Sequence, residues 1–471
     1  MTPYAVLITI LAYFAAMAAV SSLSGRKKDG QDVFYTGGRK THWAVVAIAM
    51  IGSCMSGVTY VSVPGMVGTS GFGYLQMCIG FFLGYLVIAF VLTPLYFRLR
   101  VVSIYQYLEK RFGMGAYRTG AWFFFLSKML GASVRLFLVC LTLQLLLFGP
   151  LGLPFWLNVV CNVGVCLAYT HRSGVKSVIW TDVLKTVCMV VAVTLCVILI
   201  GKDLGGIRIH EKVFFFDDVN HPQYFWKQLL GGLFTVVAMT GLDQDMMQRT
   251  LSCKDTRDSQ KNLIVSSLLQ TVVIALFLCL GALLYQYAAA HGMTETGDRL
   301  FPAVATGGGL PGIVGVLFVL GLVSSAYGAG GSALTSLTTS FTVDILRKEK
   351  DVKARKAVHI GMSVLMAVTV IVFNAVNSTS AIDAVYKLAS YTYGPILGLF
   401  AFGILTRKQV RDQWVPVVAL LSPAICLVLQ LNSERWFGGY KFSYELLLLN
   451  AALTFLGLCL LIRRDGRRKP E

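Results

Sequence analysis

Charge is the scarce ingredient of this sequence: Asp, Glu, Lys and Arg supply 14% of its 471 residues, against about a quarter in soluble domains. That scarcity excludes a globular chain solvated over its whole surface. Histidine is rarer still. His42, His171, His210, His221, His291 and His359 all fall at the ends of apolar segments or between them, so no nucleophile–base constellation forms and an enzyme is not expected. Cysteine occurs eleven times, but Cys253 alone lies outside an apolar segment. This distribution provides neither an extracellular disulfide framework nor a zinc-ligand spacing. A Gly-x-x-x-x-Gly-Lys-Ser/Thr phosphate loop is missing as well. Work done by this chain therefore has to draw on a gradient, and no cofactor is expected.

What the sequence has in excess is apolar residues, 56% of the total, with a mean hydropathy of +0.69. Apolar runs lie near 4–22, 42–66, 72–97, 119–148, 154–170, 174–201, 228–249, 263–288, 311–346, 354–376, 380–405, 414–431 and 443–462. By the length needed to cross a bilayer they predict about 13 transmembrane helices, an all-α polytopic membrane protein. The first run lacks a basic flank and an Ala-x-Ala-like site and reads as a helix, not a cleaved signal.

The net charge of +18 would point to nucleic acid if it covered a soluble surface, but it follows topology. Alternate connections carry Arg26, Lys27 and Lys28, then Arg98 and Arg100, then Arg249, Lys254 and Arg257, and later Arg347, Lys348 and Lys350. The opposite connections hold few. The positive-inside rule then sets the N-terminus outside and the C-terminus in the cytoplasm, in the plasma (bacterial inner) membrane. An odd helix count requires the same arrangement. The expected partners are the lipid bilayer and a small-molecule solute, with no nucleic acid and no obligate protein partner.

The organising stretch is Ile51-Gly-Ser-Cys-Met-Ser-Gly-Val-Thr-Tyr-Val-Ser-Val63. Gly52 and Gly57 weaken a helix inside lipid, and a helix that breaks there frees backbone groups that only protein or a polar cavity can satisfy. It reads as a discontinuous helix at a binding site. Gly and Ser equally furnish a helix-packing face. The seventh segment contains Thr240-Gly241 inside its own apolar run. The two lie five helices apart and so run in opposite directions, as inverted repeats would. The corresponding units are residues 1–41 (first helix and loop), 42–227 (first repeat), 228–410 (second repeat) and 411–471 (two helices and a basic tail).

Charges at membrane depth are costly and are functional candidates. Arg135 lies well inside the fourth segment, where its planar guanidinium suits a carboxylate; an internal ion pair with Asp182 is the alternative. Asp182 is expected to ligate sodium, carry a proton, or pair with Lys185. Lys128 is expected to snorkel toward the cytoplasm, Asp243 and Asp245 to cap a helix near the same side, and Asp383 to pair with Lys387. The run 103–112 reads as a short interfacial or connecting helix.

Tyr35-x-Gly-Gly-Arg39, Ser103-x-x-x-Tyr-Leu-Glu-x-Arg-Phe112, Trp180-Thr-Asp182, Asp243-Gln-x-x-x-Gln-Arg249, Ser332-Ala-Leu-Thr-Ser with Phe-Thr-Val-Asp-Ile345, and Gly394-Pro-Ile-Leu-Gly-Leu-Phe400 together resemble the sodium:solute symporter family, near its sialic-acid-transporting members. The resemblance implies a leucine-transporter-like core of 5+5 inverted helices and alternating access coupled to sodium. It also implies a shared sodium site using the carbonyls of Gly52 and Met55 and one near Ser325. Two hydroxyls usual there fall on Gly328 and Ala329, which have none. A second ion site is implied at Asp182 and Ser332, although its neighbouring hydroxyl position is Gly331. Arg135, with Ser56, Thr59 and Gln76, matches the positions that hold an anionic sugar acid. Proton coupling or uncoupled transport are the alternatives that Gly328 and Ala329 open, and a non-transporting sensor or channel is the alternative of another class.

Overall fold

Long apolar runs can hide their backbone polar groups in lipid only by folding into helices, and that rule accounts for nearly every element. The computed structural model describes residues 3–24, 41–99, 103–170, 175–206, 216–219, 221, 223–307, 309–348, 351–376 and 381–463. The Tyr35–Arg39 motif and the side chains of Gly328, Ala329 and Asp383 lie outside what is described. The helices are α1 (Pro3–Ser24), α2 (Trp43–Cys54), α3 (Gly57–Ser70), α4 (Tyr74–Leu99), α5 (Gln106–Arg111), α6 (Met114–Phe148), α7 (Phe155–Thr170), α8 (Val175–Asp203) and α9 (Phe225–Gly241). They continue as α10 (Gln244–Thr250), α11 (Thr256–Ala290), α12 (Leu300–Thr306), α13 (Gly312–Ile345), α14 (Val352–Val376), α15 (Ala381–Leu405), α16 (Val415–Trp436) and α17 (Leu446–Leu460).

Among the described residues 9 helices are long and apolar enough to cross a membrane, and two bent pairs raise the number to 11. Phe155–Ala168 and Leu446–Leu460 are apolar but shorter, so the expected 13 is reached only by adding both. Outward faces are apolar at helical spacing, as with exposed Val364, Val368 and Val372 on α14. In water such a stripe would be a liability; in lipid it is the solvated face.

Both expected interruptions occur, and both are true breaks. α2 meets α3 at a bend of 64°, and α9 meets α10 at 76°. The first falls at Met55–Ser56, the second at Leu242–Asp243, just after a widened π turn over Val237–Gly241. Gly52 serves packing and not the break: a Cβ there would stand 2.6 Å from the Asp182 carbonyl oxygen and 2.5 Å from Thr186 Oγ1, so only glycine lets α8 pass this close to α2. α8 packs on α2 and α13, α4 on α9, and α6 on α15, which brings both breaks into one core.

Cytoplasmic-side expectations resolve simply. Ile104, Tyr107 and Leu108 are buried, so the 103–112 run is a connecting helix packed on protein, not one lying at the interface. Its Arg111 donates to the carbonyls of Gly403 (3.3 Å), Thr406 (2.9 Å) and Lys408 (2.9 Å) at the end of α15, satisfying orphan acceptors of the last turn. Asp412 accepts from the Gly115 and Ala116 amides at 2.6 and 2.8 Å and so closes the start of α6.

Candidate functional site

Between the two breaks lies a set of charges that lipid would not tolerate singly. Lys128 on α6 is 6% exposed and donates to Asp243 at 2.9 and 3.1 Å and to Asp245 at 3.3 Å. Asp243 also accepts from the Asp245 and Met246 amides at 2.9 and 3.2 Å, capping α10, and from the Tyr393 hydroxyl of α15 at 2.9 Å. Lys128 therefore does not snorkel; it is the counter-charge of the second break. The capping expected of Asp243 is present, with an ion pair added.

Arg249 on α10 links the next carboxylates. Its Nε meets Asp182 Oδ2 at 3.1 Å and its Nη1 meets Asp245 Oδ1 at 2.8 Å, while its Nη2 donates to Ser332 Oγ at 2.6 Å. Ser332 in turn donates to Asp245 at 2.8–2.9 Å, and Ser53 donates to Asp182 at 2.9 Å. The two residues expected to hold a second ion, Asp182 and Ser332, are indeed brought together, but around a guanidinium. That same geometry corrects both pairings considered for Asp182: its partner is Arg249, neither Lys185 nor Arg135.

Arg135 is left without a described hydrogen bond or ion pair and lines three adjoining cavities. The largest encloses about 670 Å³, counting the part open to solvent, and is lined by Ser56, Thr59, Tyr85, Thr240 and Gln270 among others. Apolar Phe81, Val58 and Met239 complete it, the mixture of apolar wall and few polar groups that small-molecule sites use. Ser56 and Thr59 thus reach the space that Arg135 faces. Gln76 does not: it is fully buried, and its amide donates to the carbonyls of Gly73 and Gln223 at 3.2 Å each.

Gly52 and Met55 sit at the end of α2, where the Met55 amide makes the last backward bond, to Ile51, at 2.8 Å, and leaves the following carbonyls outside the helix ladder. Ser325 is buried, with its Oγ 3.8 Å from where a Cβ of Gly57 would stand; its hydroxyl is spent on the Leu322 carbonyl at 2.8 Å. The four cations Lys128, Arg135, Lys185 and Arg249 face three carboxylates, Asp182, Asp243 and Asp245. One further negative charge would balance the set.

Reading the sequence missed Lys128 and Arg249 as members of this core. A signal existed for the first, since Lys128 and Arg135 are two turns apart on one helix face. For Arg249 the Asp243-Gln-x-x-x-Gln-Arg249 motif marked the residue but not its partner, because it follows a break whose angle no spacing reveals.

Residues 34–412 match the profile of the sodium:solute symporter family. The chain is 27% identical over 451 residues to the sodium/sialic acid symporter NanT of Aliivibrio fischeri, covering 89% of this chain and 86% of that protein. It is 24% identical over 403 residues to the human sodium/iodide cotransporter, covering 81% of this chain and 62% of that protein. A solved sodium-coupled sialic acid symporter, in a substrate-bound outward-open state, superposes with a TM-score of 0.81 at 19% identity over 98% of this chain and 99% of that one. Mhp1, a nucleobase-cation-symport transporter, gives 0.58 at 14% identity over 89% and 92%. The fold is therefore the leucine-transporter type with a 5+5 inverted-repeat core.

Proposed function

Because the chain belongs to the sodium:solute symporter family, we propose that it is a multi-pass secondary transporter that imports a small organic anion, a sugar acid such as sialic acid favoured, by alternating access driven by a sodium gradient. The observation that carries this reading is Arg135, a guanidinium with no hydrogen bond or ion pair among the described residues, facing a cavity beside a broken helix. A carboxylate placed there gains charge-assisted bonds and balances the surrounding charges. Ser56 and Thr59 line the same space and are assigned to the solute; Gln76 is not. Residues 42–227 and 228–410 are taken as the two repeats whose relative motion opens the cavity to each side, with the N-terminus outside and the C-terminus in the cytoplasm of a bacterial inner membrane.

A second reading keeps the solute and changes the driving ion to the proton, or to none. Gly328 and Ala329 carry no hydroxyl, and Arg249 already occupies the space between Asp182 and Ser332. Uptake of labelled sialic acid into proteoliposomes, under an imposed sodium or pH gradient, separates these readings; accumulation against a gradient separates the coupled ones from a channel or sensor, and saturable uptake without accumulation marks the uncoupled one. Arg135→Gln is expected to lower uptake about 10–100-fold, the loss of roughly 1.5–3 kcal/mol for a hydrogen bond to a charged group. Unchanged uptake of the anion in that variant would remove Arg135 from the site.

A further inference from the structure

A proline inside a helix withholds the amide that the carbonyl four residues earlier would accept from. α15 contains such a residue, Pro395, and the carbonyl it leaves is that of Tyr391. Water would satisfy that oxygen in a soluble protein, but within a membrane span a neighbouring element has to. Asn450 on α17 does so: its Nδ2 donates to the Ser390 carbonyl at 2.9 Å and to the Tyr391 carbonyl at 3.1 Å. The residue is fully buried, and its Oδ1 has no hydrogen-bond partner among the described groups. The amide is therefore placed by its donor side alone.

The packing is shaped around this contact. A Cβ on Gly394 would stand 2.4 Å from Asn450 Cγ, and one on Gly398 would stand 2.7 Å from the Ala451 carbonyl oxygen. Glycines on either side of Pro395 thus let α17 approach the backbone of α15.

Pro395 also divides α15 by task. Before it, Val385, Leu388 and Ala389 line the space that Arg135 faces, and the Tyr386 hydroxyl meets that of Tyr74 on α4 at 2.7 Å. After it, the carbonyls of Gly403 and Thr406 are held by Arg111. The pivot is pinned by Tyr393, whose hydroxyl donates to Asp243. The first half is a cavity wall held through exchangeable hydroxyl contacts, and the second is anchored.

We propose that Asn450 is a positioning residue for transport: from α17 it supplies the bond that Pro395 denies Tyr391, and so sets the angle at which the first half of α15 walls the Arg135 cavity. Hinge positions that absorb such motion lie away from the site they serve. Its bearing on uptake rests on the transporter reading above, while the bond and the hinge do not.

The test is a double-mutant cycle on the full-length detergent-purified protein. Asn450→Leu keeps the volume and loses the donor; Pro395→Ala returns an amide to Tyr391. Asn450→Leu alone is expected to lower the unfolding midpoint by about 2–4 °C, and by clearly less beside Pro395→Ala, because the helix then satisfies its own carbonyl. Folding only in the double variant is the same rescue in its strongest form. Amide exchange reads the hinge: in Asn450→Leu it is expected to rise about tenfold before Pro395 and to stay unchanged after it. Equal midpoint losses in both backgrounds, or exchange that rises evenly along α15, would overturn the proposal. Uptake of labelled sialic acid by proteoliposomes then separates positioning from plain support. The double variant is expected to regain its midpoint but not its maximal rate, with KM little changed, since Asn450 is not among the residues lining the Arg135 cavities. A rate that recovers together with the midpoint would make Asn450 a structural residue only and overturn its role in transport. A wild type that moves no sialic acid counts against the transporter reading alone; midpoint and exchange still decide the hinge.

Discussion

At the first break, between Cys54 and Gly57, the described capping is neutral: Ser56 and Thr59 form a capping box, in which the Ser56 amide donates to Thr59 Oγ1 at 3.4 Å. Cys54 Sγ adds a contact with the Tyr85 hydroxyl at 3.3 Å. At the second, between Gly241 and Gln244, the cap is Asp243, which also binds Lys128 from α6 and Tyr393 from α15. One break is lightly tied and opens on a cavity; the other joins three helices through buried charge. The proposed transport then divides the work: the tightly bound break is expected to act as a fixed frame and the loosely tied one to exchange contacts with a solute.

Removing the charge from the fixed frame gives the largest effect. Lys128→Met leaves Asp243 buried without its cation and is expected to cost about 3–5 kcal/mol, read as a drop in unfolding midpoint with any solute present or absent. If that variant melted like wild type, the second break would not be a frame, and the contrast between the breaks would fail.

Each break was legible within a few residues from small residues inside an apolar run, although the structure gives Gly52 to packing against α8 and not to the break. The charge at the breaks was not. Arg249 counts in the sequence as one more basic residue after the seventh segment, and only the 76° turn of α10 swings it back onto Asp182. Gln76 shows the opposite failure: it lies one turn from the cavity wall in sequence, yet the turn at Gly73 directs its amide toward the loop carbonyl of Gln223. Arg135 was readable as a charge at membrane depth. That Asp182 is not its partner needed the knowledge that Arg249 had taken the acid.

A smaller effect is expected at Ser332 on α13, beside the Arg249–Asp182 bridge that joins the two halves. Its hydroxyl accepts from Arg249 and donates to Asp245, so Ser332→Ala removes bonds to two charged groups while the salt bridge itself persists. About 1.5–3 kcal/mol is expected from hydrogen bonds of this kind. A double-mutant cycle with Ser53→Ala checks it: both hydroxyls act on the Asp182–Arg249–Asp245 chain, so their losses should not add. Strict additivity would mean that α2 and α13 feel separate sites.

The smallest expected change in stability is at Thr59, and it sharpens the comparison most. Thr59→Val keeps the volume and removes the Thr59 half of the capping box of α3, a loss of about 0.5–2 kcal/mol by analogy with other helix N-terminal bonds, while Thr59→Ser keeps the oxygen and should lose less. Capping takes a lone pair of this hydroxyl and an anion would take its proton, so the two bonds compete only through the rotamer that each requires. If the first break trades contacts during binding, Thr59→Val should weaken the solute-induced rise in midpoint by more than it lowers the midpoint of the empty protein. Equal shifts with and without solute would instead make Thr59 a cap alone and leave Arg135 and Ser56 to hold the anion.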